Sequence, residues 1–386
     1  MTRVPRRSAS ALAVDELLLD AGLAEIVDGG IDRLGMAPVA RQAGLTTGAL
    51  YARYENATEL AVSVWERRVR DDLRSVLRTV LDTVAGRGVA LGELARRLAA
   101  PTPSMRAAIE FLVAARRVEE LGELVGPDLR EWFADWTAGV DEQAMAWVIG
   151  PAAMVLGSLL YMPNTYDTDL WELQLDRLQR ADHEWRPTAP RTGPAPAVPA
   201  RPDTGDEGRD ALIDSALEIV ARSGVERATV IRVARRAGFT SGGLFTRYPT
   251  KLALLLDAVD VIQLAIFVND TRLIHQAPRG RGSDVAQSVL DAMFHHARDV
   301  WRPFRVEIYL AARHYPPLAE VLVKDHMASL VHETGMRSLP ERERNATNRA
   351  GDFFPLGLFV LDQHLPELAR VDLRPVFHAW DLPDRS

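Results

Sequence analysis

Apolar residues recur along most of this chain at the three- and four-residue spacing of amphipathic helices. Within residues 229–248, TVIRVARRAGFTSGGLFTRY, the side chains of Val230 and Val233 fall on one helical face, and Gly238 is placed to end that helix. A second short helix is predicted to begin near Ser241. Two short helices joined by a glycine-containing turn are typical of a helix-turn-helix, which places its second helix in the major groove of DNA.

The same spacing predicts helices along the rest of the chain, and strand patterns are nearly absent, so the predicted fold class is all-α. The predicted helices span residues 15–27, 37–43, 47–54, 58–84, 91–99, 104–121, 127–135, 140–161, 169–184, 210–223, 230–237, 241–248, 252–275, 283–298, 303–314, 317–333, 342–363 and 373–379.

The helix-turn-helix pattern occurs twice. Residues 39–54, VARQAGLTTGALYARY, and residues 233–248, VARRAGFTSGGLFTRY, are identical at ten of sixteen positions at an offset of 194. A weaker match, six of sixteen at an offset of 197, pairs residues 110–125, EFLVAARRVEELGELV, with residues 307–322, EIYLAARHYPPLAEVL. The pattern therefore indicates that the whole chain is a duplication.

A proline-rich segment separates the two halves. Six prolines lie between positions 187 and 202, with little to bury, which predicts an extended linker. The predicted division is a flexible basic arm at 1–14, a first helix-turn-helix at 15–57, a first helical effector and dimerisation body at 58–186, the linker at 187–208, a second helix-turn-helix at 209–251 and a second body at 252–386.

Composition narrows the class of protein. Among 386 residues there is no cysteine, which excludes disulfides and thiolate chemistry, and no apolar run reaches ~18 residues, so no membrane span and a cytoplasmic location are expected. The nine histidines show no metal-site spacing. Without a nucleophile–base pair, a glycine-rich phosphate loop or a metal motif, we expect no cofactor, no metal and no enzymatic activity.

At the repeated residues the chain resembles the TetR family of bacterial transcriptional regulators. The matching run is T-x-x-x-V-A-x-x-A-G-F/L-T-S/T-G-x-L-F/Y-x-R-Y followed by P-x-K, within about 45–50 residues of each half. The resemblance implies that each three-helix unit binds a double-stranded DNA operator. It also implies that each body binds a small apolar or amphipathic effector and dimerises through its last two long helices. With two repeats in one chain it implies an intramolecular pseudo-dimer; a further homodimer stays open.

The candidate DNA contacts follow from where a recognition helix would lie. They are Thr229, Arg232, Ser241, Gly242, Gly243, Phe245, Thr246, Arg247 and Lys251 in the second half, and Thr46, Thr47, Gly48, Ala49, Tyr51, Ala52 and Arg53 in the first. Arg53 and Arg247 have the longest polar reach, to phosphate or guanine. The residues expected in the core instead are Leu50, Tyr54, Leu244 and Tyr248.

The two helix-turn-helix units are not equivalent. Residues 15–54 carry three arginines and six carboxylates, whereas residues 209–248 carry seven arginines and four carboxylates. Because phosphate neutralisation dominates affinity, the second unit is expected to bind DNA better. The phosphate contacts that the resemblance implies are also divided, because the first unit keeps Tyr51, the second keeps Lys251, and Gly35 stands where the second unit has its N-cap Thr229.

Aromatic and arginine residues in the bodies are candidates for a ligand pocket, although most of the aromatic ones are expected to be core. They are Arg116, Trp132, Trp136 and Trp147 in the first body, and Trp301, Phe304, Tyr309, Arg313, Phe353 and Phe354 in the second. Arg116 and Arg313 occupy equivalent positions and could anchor a carboxylate ligand or form a buried ion pair.

The predicted function is a DNA-binding transcriptional regulator, specifically a ligand-responsive repressor. The alternative is a DNA-silent regulator or partner-binding protein in which one or both helix-turn-helix units are degenerate. DNA binding that depends on salt and on Arg247 or Lys251 would separate the two.

Overall fold

The computed structural model describes residues 9–160, 167–188, 190–191, 203–276, 282–324 and 340–380. These ranges contain helices and no strand, which confirms the all-α prediction. The helices are α1 (Ala9–Gly29), α2 (Met36–Gln42), α3 (Thr47–Tyr51), α4 (Ala57–Val64), α5 (Arg70–Val84), α6 (Leu91–Ala99), α7 (Pro103–Ala114), α8 (Glu119–Thr137), α9 (Ala146–Leu160), α10 (Thr168–Arg180), α11 (Glu207–Arg227), α12 (Val230–Arg236), α13 (Ser241–Arg247), α14 (Lys251–Gln276), α15 (Gly282–Met293), α16 (Trp301–Ala312), α17 (Pro316–Lys324), α18 (Glu341–Asp362) and α19 (Arg374–Ala379).

The first helix begins earlier than predicted. α1 starts at Ala9, so the second part of the segment 1–14, predicted as a flexible arm, is helical. Ala11 and Ala13 are strong helix formers and no glycine or proline separates them from residue 15, so the helix extends through them. Residues 1–8 lie outside the described residues.

Other predicted helices differ at their ends. The predicted helix 104–121 is interrupted by a turn after Ala114, and α8 begins at Glu119, so that Pro127 lies inside a helix rather than at its start. A five-residue π turn (Trp65–Val69) joins α4 to α5 within the predicted helix 58–84. The part of the predicted helix 317–333 beyond α17, and most of the predicted linker 187–208, lie outside the described residues.

The chain forms two compact units that do not follow the halves of the repeat. Compact unit 1 consists of Met1–Leu77 and Pro101–Asp128, and compact unit 2 consists of Arg78–Ala100 and Leu129–Ser386. Compact unit 1 therefore holds the first helix-turn-helix with α7. Compact unit 2 combines helices of the first half, among them α6, α9 and α10, with the whole second half.

The core of compact unit 1 forms where α1 packs against α4 and α7. Trp65 is fully buried there, with its ring centroid 5.5 Å from that of Phe111. Its indole Nε1 donates a 2.8 Å hydrogen bond to Asp128, so the buried polar atom of this large side chain has its partner.

In compact unit 2, α9 packs directly against α18. A Cβ placed on Gly157 would overlap the carbonyl oxygen of Phe353, and a Cβ placed on Gly357 would overlap that of Ala153. The two glycines therefore let the backbones of α9, from the first half, and α18, from the second half, come into direct contact.

Polar and aromatic contacts extend this packing. Arg177 on α10 donates to Thr347 (3.0 Å) and Glu343 (3.3 Å) on α18. The ring centroid of Trp171, also on α10, lies 6.3 Å from that of Phe353. The four helices predicted for dimerisation, α9 and α10 with α18 and α19, thus pack together within compact unit 2.

Candidate DNA interface

In the first helix-turn-helix, one glycine shapes the turn and one threonine caps the helix that follows it. Gly44 adopts a left-handed conformation (φ 68°), which lets the chain reverse sharply after α2. The side chain of Thr46 then accepts a 3.2 Å hydrogen bond from the backbone N–H of Ala49 and caps α3. The N-cap of α2 is Gly35, which has no side chain to offer.

The second helix-turn-helix uses the same devices and adds one. Gly238 takes the left-handed conformation (φ 78°), and Thr240 accepts a 3.1 Å hydrogen bond from Gly243 N to cap α13. Thr229 accepts a 3.4 Å hydrogen bond from the backbone N–H of Arg232 and caps α12, as predicted. The second unit therefore has a side-chain cap on both of its short helices.

The two recognition helices, α3 and α13, pack through buried residues and expose small or aromatic side chains to solvent. Leu50, Tyr54, Leu244 and Tyr248 are buried, which confirms their prediction as core. Tyr51 is 55% exposed and Phe245 49% exposed. The exposed candidates also include Thr46, Thr47, Gly48 and Ala52 in the first unit and Gly242, Thr246 and Arg247 in the second, while Ala49, Arg53, Ser241 and Gly243 are half-buried.

The sequence suggests that Arg53 reaches out toward DNA, but in the structure its guanidinium group bonds within the first unit. Its Nε donates to Asp15 Oδ1 at 2.7 Å, and its Nη1 donates to the backbone oxygen of Ala49 at 3.0 Å. Asp15, on α1, is 1% exposed. The guanidinium is therefore occupied within the first unit.

The second unit has a different ion pair in this place. The repeat equivalent of Asp15 is Arg209, which pairs with Asp257 on α14 through Nε at 2.9 Å. Tyr248 donates its hydroxyl to the same carboxylate at 2.5 Å. Hydrogen bonding from Arg209 lowers the pKa of Asp257, while burial and the bond to Asp257 raise the pKa of Tyr248.

Arg247, the repeat equivalent of Arg53, is paired at the surface. Its Nη1 donates to Asp206 at 2.5 Å, with the two side chains 40% and 46% exposed. This hydrogen bond lowers the pKa of Asp206 and raises that of Arg247. Asp206 also caps α11 by accepting from the backbone N–H of Gly208 and of Arg209.

Two further cations of the second unit, Lys251 and Arg232, bind backbone carbonyl groups. Lys251 Nζ donates to Val225 O at 2.5 Å, at the end of α11. Arg232 donates to Arg227 O at 2.7 Å from an exposed position on α12. Both candidate contacts are thus bonded to the last residues of α11, just after Gly224 interrupts its helical geometry.

Two residues in and just after α7, which the sequence reasoning missed, bind the segment between α1 and α2 of the first helix-turn-helix. Glu110 is buried and accepts a 3.2 Å hydrogen bond from the backbone N–H of Ile31. Arg117 makes a two-pronged ion pair with Asp32, at 2.5 and 2.8 Å. The identity of Glu110 with Glu307 in the weaker repeat was the available signal, because a carboxylate on an apolar helical stretch needs a buried partner.

The pocket candidates are spread over several helix pairs. The ring centroids of Trp132 and Trp136, both on α8, are 6.4 Å apart. The ring of Trp147 stacks on that of His183 with a centroid distance of 4.2 Å, and the centroids of Phe354 and Trp380 are 5.0 Å apart. Burial is complete or nearly so for Trp301, Phe304, Tyr309 and Phe353, and it raises the pKa of Tyr309.

The two arginines of the pocket candidates lie at or near the surface. Arg116 is exposed and Arg313 is half-buried, which corrects the expectation of a buried ion pair at Arg116. The neighbouring Arg117 has its side chain 1% exposed and makes that ion pair, because it is the residue that faces Asp32.

The described ranges contain neither a cluster of side chains for a metal ion nor a membrane-spanning helix. Within them, no cluster of three or more histidine, aspartate or glutamate side chains is placed to hold a metal ion. The described helices include none whose length and apolar character would allow it to cross a bilayer.

A family model described as "Bacterial regulatory proteins, tetR family" matches the chain at residues 18–64 and again at residues 212–258. The two matches are separated by the same offset of 194 residues as the repeat, and each runs from α1 or α11 through the recognition helix into the following helix. No curated protein matches the chain.

Proposed function

Because the chain belongs to the TetR family of bacterial regulatory proteins and carries the family's N-terminal domain twice, it is a DNA-binding transcription regulator, and we propose that it is a ligand-responsive repressor. In this proposal its two non-identical helix-turn-helix units read one operator. A small apolar or amphipathic ligand bound in the helical bodies lowers the DNA affinity.

The observation that carries the proposal is the build of α13. Leu244 and Tyr248 are buried and anchor the helix to the core, while Phe245, Thr246 and Arg247 are exposed to solvent. A short helix fixed in this way presents its N-terminal residues and outer side chains to the major groove. The side chain of Thr240 accepts a hydrogen bond from the backbone N–H of Gly243 and thereby caps the start of the helix.

The second unit is the stronger DNA-binding unit in this proposal. Exposed Arg232 on α12 corresponds to Pro38 in the first unit, and exposed Arg247 corresponds to the internally bonded Arg53. More cations on the DNA side release more counterions on binding, which raises affinity and steepens its dependence on salt.

The intramolecular pseudo-dimer is supported by the helix pair α9–α18. Gly157 and Gly357 allow backbone contact between the two halves, and Arg177 joins them through Thr347 and Glu343. Covalent connection raises the effective concentration of each half for the other, so pairing does not depend on protein concentration. Two different recognition helices in one chain also allow an operator that is not a palindrome.

Ligand responsiveness is supported by polar atoms inside compact unit 2. Gln174 on α10 is fully buried, and neither atom of its side-chain amide has a hydrogen-bond partner in the described part of the chain. Buried amides normally have partners, so this group suits a small ligand with one donor and one acceptor. Such a ligand would favour one arrangement of the bodies and thereby change DNA affinity.

The test is a mobility-shift titration of the full chain on a duplex from immediately upstream of its own gene, at two salt concentrations. An unrelated duplex of equal length is the control, and light scattering gives the mass in solution. We expect tight, salt-dependent binding that the unrelated duplex does not share, by a species of 42.7 kDa. Weak binding without sequence preference would contradict the proposal and favour the DNA-silent alternative.

A further inference from the structure

The two recognition helices carry an arginine at the same position of the repeat, Arg53 and Arg247, and each arginine has a carboxylate partner of a different kind. The partners are not equivalent in the repeat. Asp15 lies in the body of α1, whereas Asp206 precedes α11, at the end of the proline-rich segment.

The Arg53 pair is an internal one. Asp15 is 1% exposed, and Arg53 is 24% exposed with a second bond to the Ala49 carbonyl on its own helix. Moving the arginine would break a 2.7 Å ion pair with a buried carboxylate, and breaking a buried ion pair is strongly disfavoured. Arg53 is therefore held away from the side of α3 that carries exposed Thr47 and Tyr51.

The Arg247 pair is a surface one. Both side chains are about half exposed, so water and salt screen the attraction between them. Asp206 keeps its role as the cap of α11 when Arg247 leaves, because it accepts the amides of Gly208 and Arg209 independently. Arg247 can therefore exchange this carboxylate for a phosphate without leaving a buried charge behind.

One substitution in the repeat explains the difference. Position 209 is an arginine where the first unit has Asp15, and Arg209 is bound to Asp257. The second unit therefore has no carboxylate at the place that holds Arg53, and Arg247 lies at the surface.

We propose that the carboxylate partner of this arginine determines how strongly each unit binds DNA: buried Asp15 withholds Arg53 from the phosphate backbone, while exposed Asp206 competes with phosphate for Arg247. The inference rests on the proposed DNA-binding function. It assigns Asp206, a residue outside the helix-turn-helix motif, as a determinant of operator affinity, and it assigns Arg53 a structural role.

The decisive variant is Asp206→Asn, measured by fluorescence anisotropy of the full chain on the upstream duplex. Asparagine caps a helix as well as aspartate, so the fold of α11 is kept while the competing charge is removed. The matched control is Asp20→Asn, which makes the same change at an exposed carboxylate that holds Arg68 on the first unit. We expect D206N to bind about three- to tenfold more tightly and D20N to bind within twofold of the parent.

A second pair of variants tests the arginines themselves. Arg247→Ala should weaken binding about tenfold or more and reduce the slope of log affinity against log salt by about one, the effect of one lost phosphate contact. Arg53→Ala should lower the melting temperature, because it breaks a buried ion pair, but should leave the slope of log affinity against log salt nearly unchanged. Thermal melting of each variant distinguishes loss of a contact from loss of fold.

The inference is overturned if D206N binds no more tightly than D20N, or if R53A, folded, weakens binding as much as R247A. Failure of the proposed function has a different signature, because the parent chain itself would then show no preference for the upstream duplex over the unrelated one.

Discussion

At the scale of single residues, Asp257 connects α14 to α11 and to the end of the recognition helix α13. Its carboxylate, on α14, accepts from Arg209 on α11 and from Tyr248, which directly follows α13. Charge-assisted hydrogen bonds of this kind contribute more than neutral ones. The position of the recognition helix therefore depends on a residue that lies outside the motif.

Asp257→Asn should lower the free energy of unfolding by about 2 kcal/mol at neutral pH, the typical loss for hydrogen bonds to a charged group. Because Arg209 lowers the pKa of Asp257 in the folded chain, this contribution is present above the ordinary carboxyl pKa and is lost as pH falls through the lowered value. The difference between parent and variant in urea unfolding should therefore shrink as pH drops below about 4. Glu207→Gln, at an exposed carboxylate of α11, is the control and should show no such difference.

Lys251 should affect both stability and DNA binding. Lys251→Met removes the bond to the Val225 carbonyl and should cost about 1 kcal/mol of unfolding free energy, because the end of α11 loses a cation that it favours. Chemical unfolding and DNA titration of the same variant separate the two effects. A stable variant with unchanged DNA affinity would exclude Lys251 from both roles.

The sequence predicts the position of these residues along the motif but not their partners. Leu244 and Tyr248 are recognisable as core from their spacing alone, since both lie on one helical face. Arg53 is not recognisable as internal, because its partner Asp15 is 38 residues away and becomes a neighbour only when α1 packs against the motif. Pairings across that distance are set by packing, which a local pattern does not contain.

At the scale of elements, the contact between α9 and α18 depends on two glycines. Both helices also contain an interior proline, Pro151 and Pro355. Each proline removes one backbone hydrogen bond from its helix, so most of the stability of these helices comes from packing. We therefore expect substitutions at Gly157 and Gly357 to destabilise this helix pair more than substitutions elsewhere on it.

Gly357→Ala should destabilise the chain by about 1–3 kcal/mol, the usual cost of overpacking, because its methyl group would overlap the Ala153 carbonyl. Gly351→Ala is a matched control on the same helix, where a Cβ meets nothing within 4 Å. It should stabilise the chain by up to about 1 kcal/mol, since alanine is the better helix former. Thermal melting checks both, and equal effects of the two substitutions would contradict the contact described.

Helix existence is predictable here, and helix ends are less so. The predicted helix 91–99 has the same bounds as α6, because its apolar face and its flanking glycine and proline are unambiguous. The break between α7 and α8 is not visible in the pattern, because Glu119 and Glu120 continue a helical spacing. The candidate DNA contacts lie on predicted helices, but their bonding within the protein is a tertiary property.

At the scale of the whole molecule, the two halves of the repeat contribute unequally to the compact units. The second half lies within compact unit 2 together with α9 and α10 of the first half. Arg191, at the start of the proline-rich segment, also bonds Asp291 on α15 and the Arg370 carbonyl. Association of the halves should therefore not need the covalent link between them.

A protease site inserted between Val198 and Pro199 tests this expectation. After cleavage the two fragments should still co-elute on gel filtration at micromolar concentration, because the α9–α18 and α10–α18 contacts are unchanged. The same cleavage in a Gly357→Ala chain is the comparison and should release the fragments at higher protein concentration than in the parent. Fragments that separate at once in the parent would contradict intramolecular pairing.

The glycine contact has a consequence for how such a protein changes over generations. In a homodimer made from one gene, any mutation at the symmetry axis enters both helices at once and meets itself. Here Gly157 and Gly357 are separate codons, so a substitution in one helix leaves the other helix unchanged. Each half can therefore diverge by single steps, and a library randomised in one half alone can yield partners that no homodimer could encode.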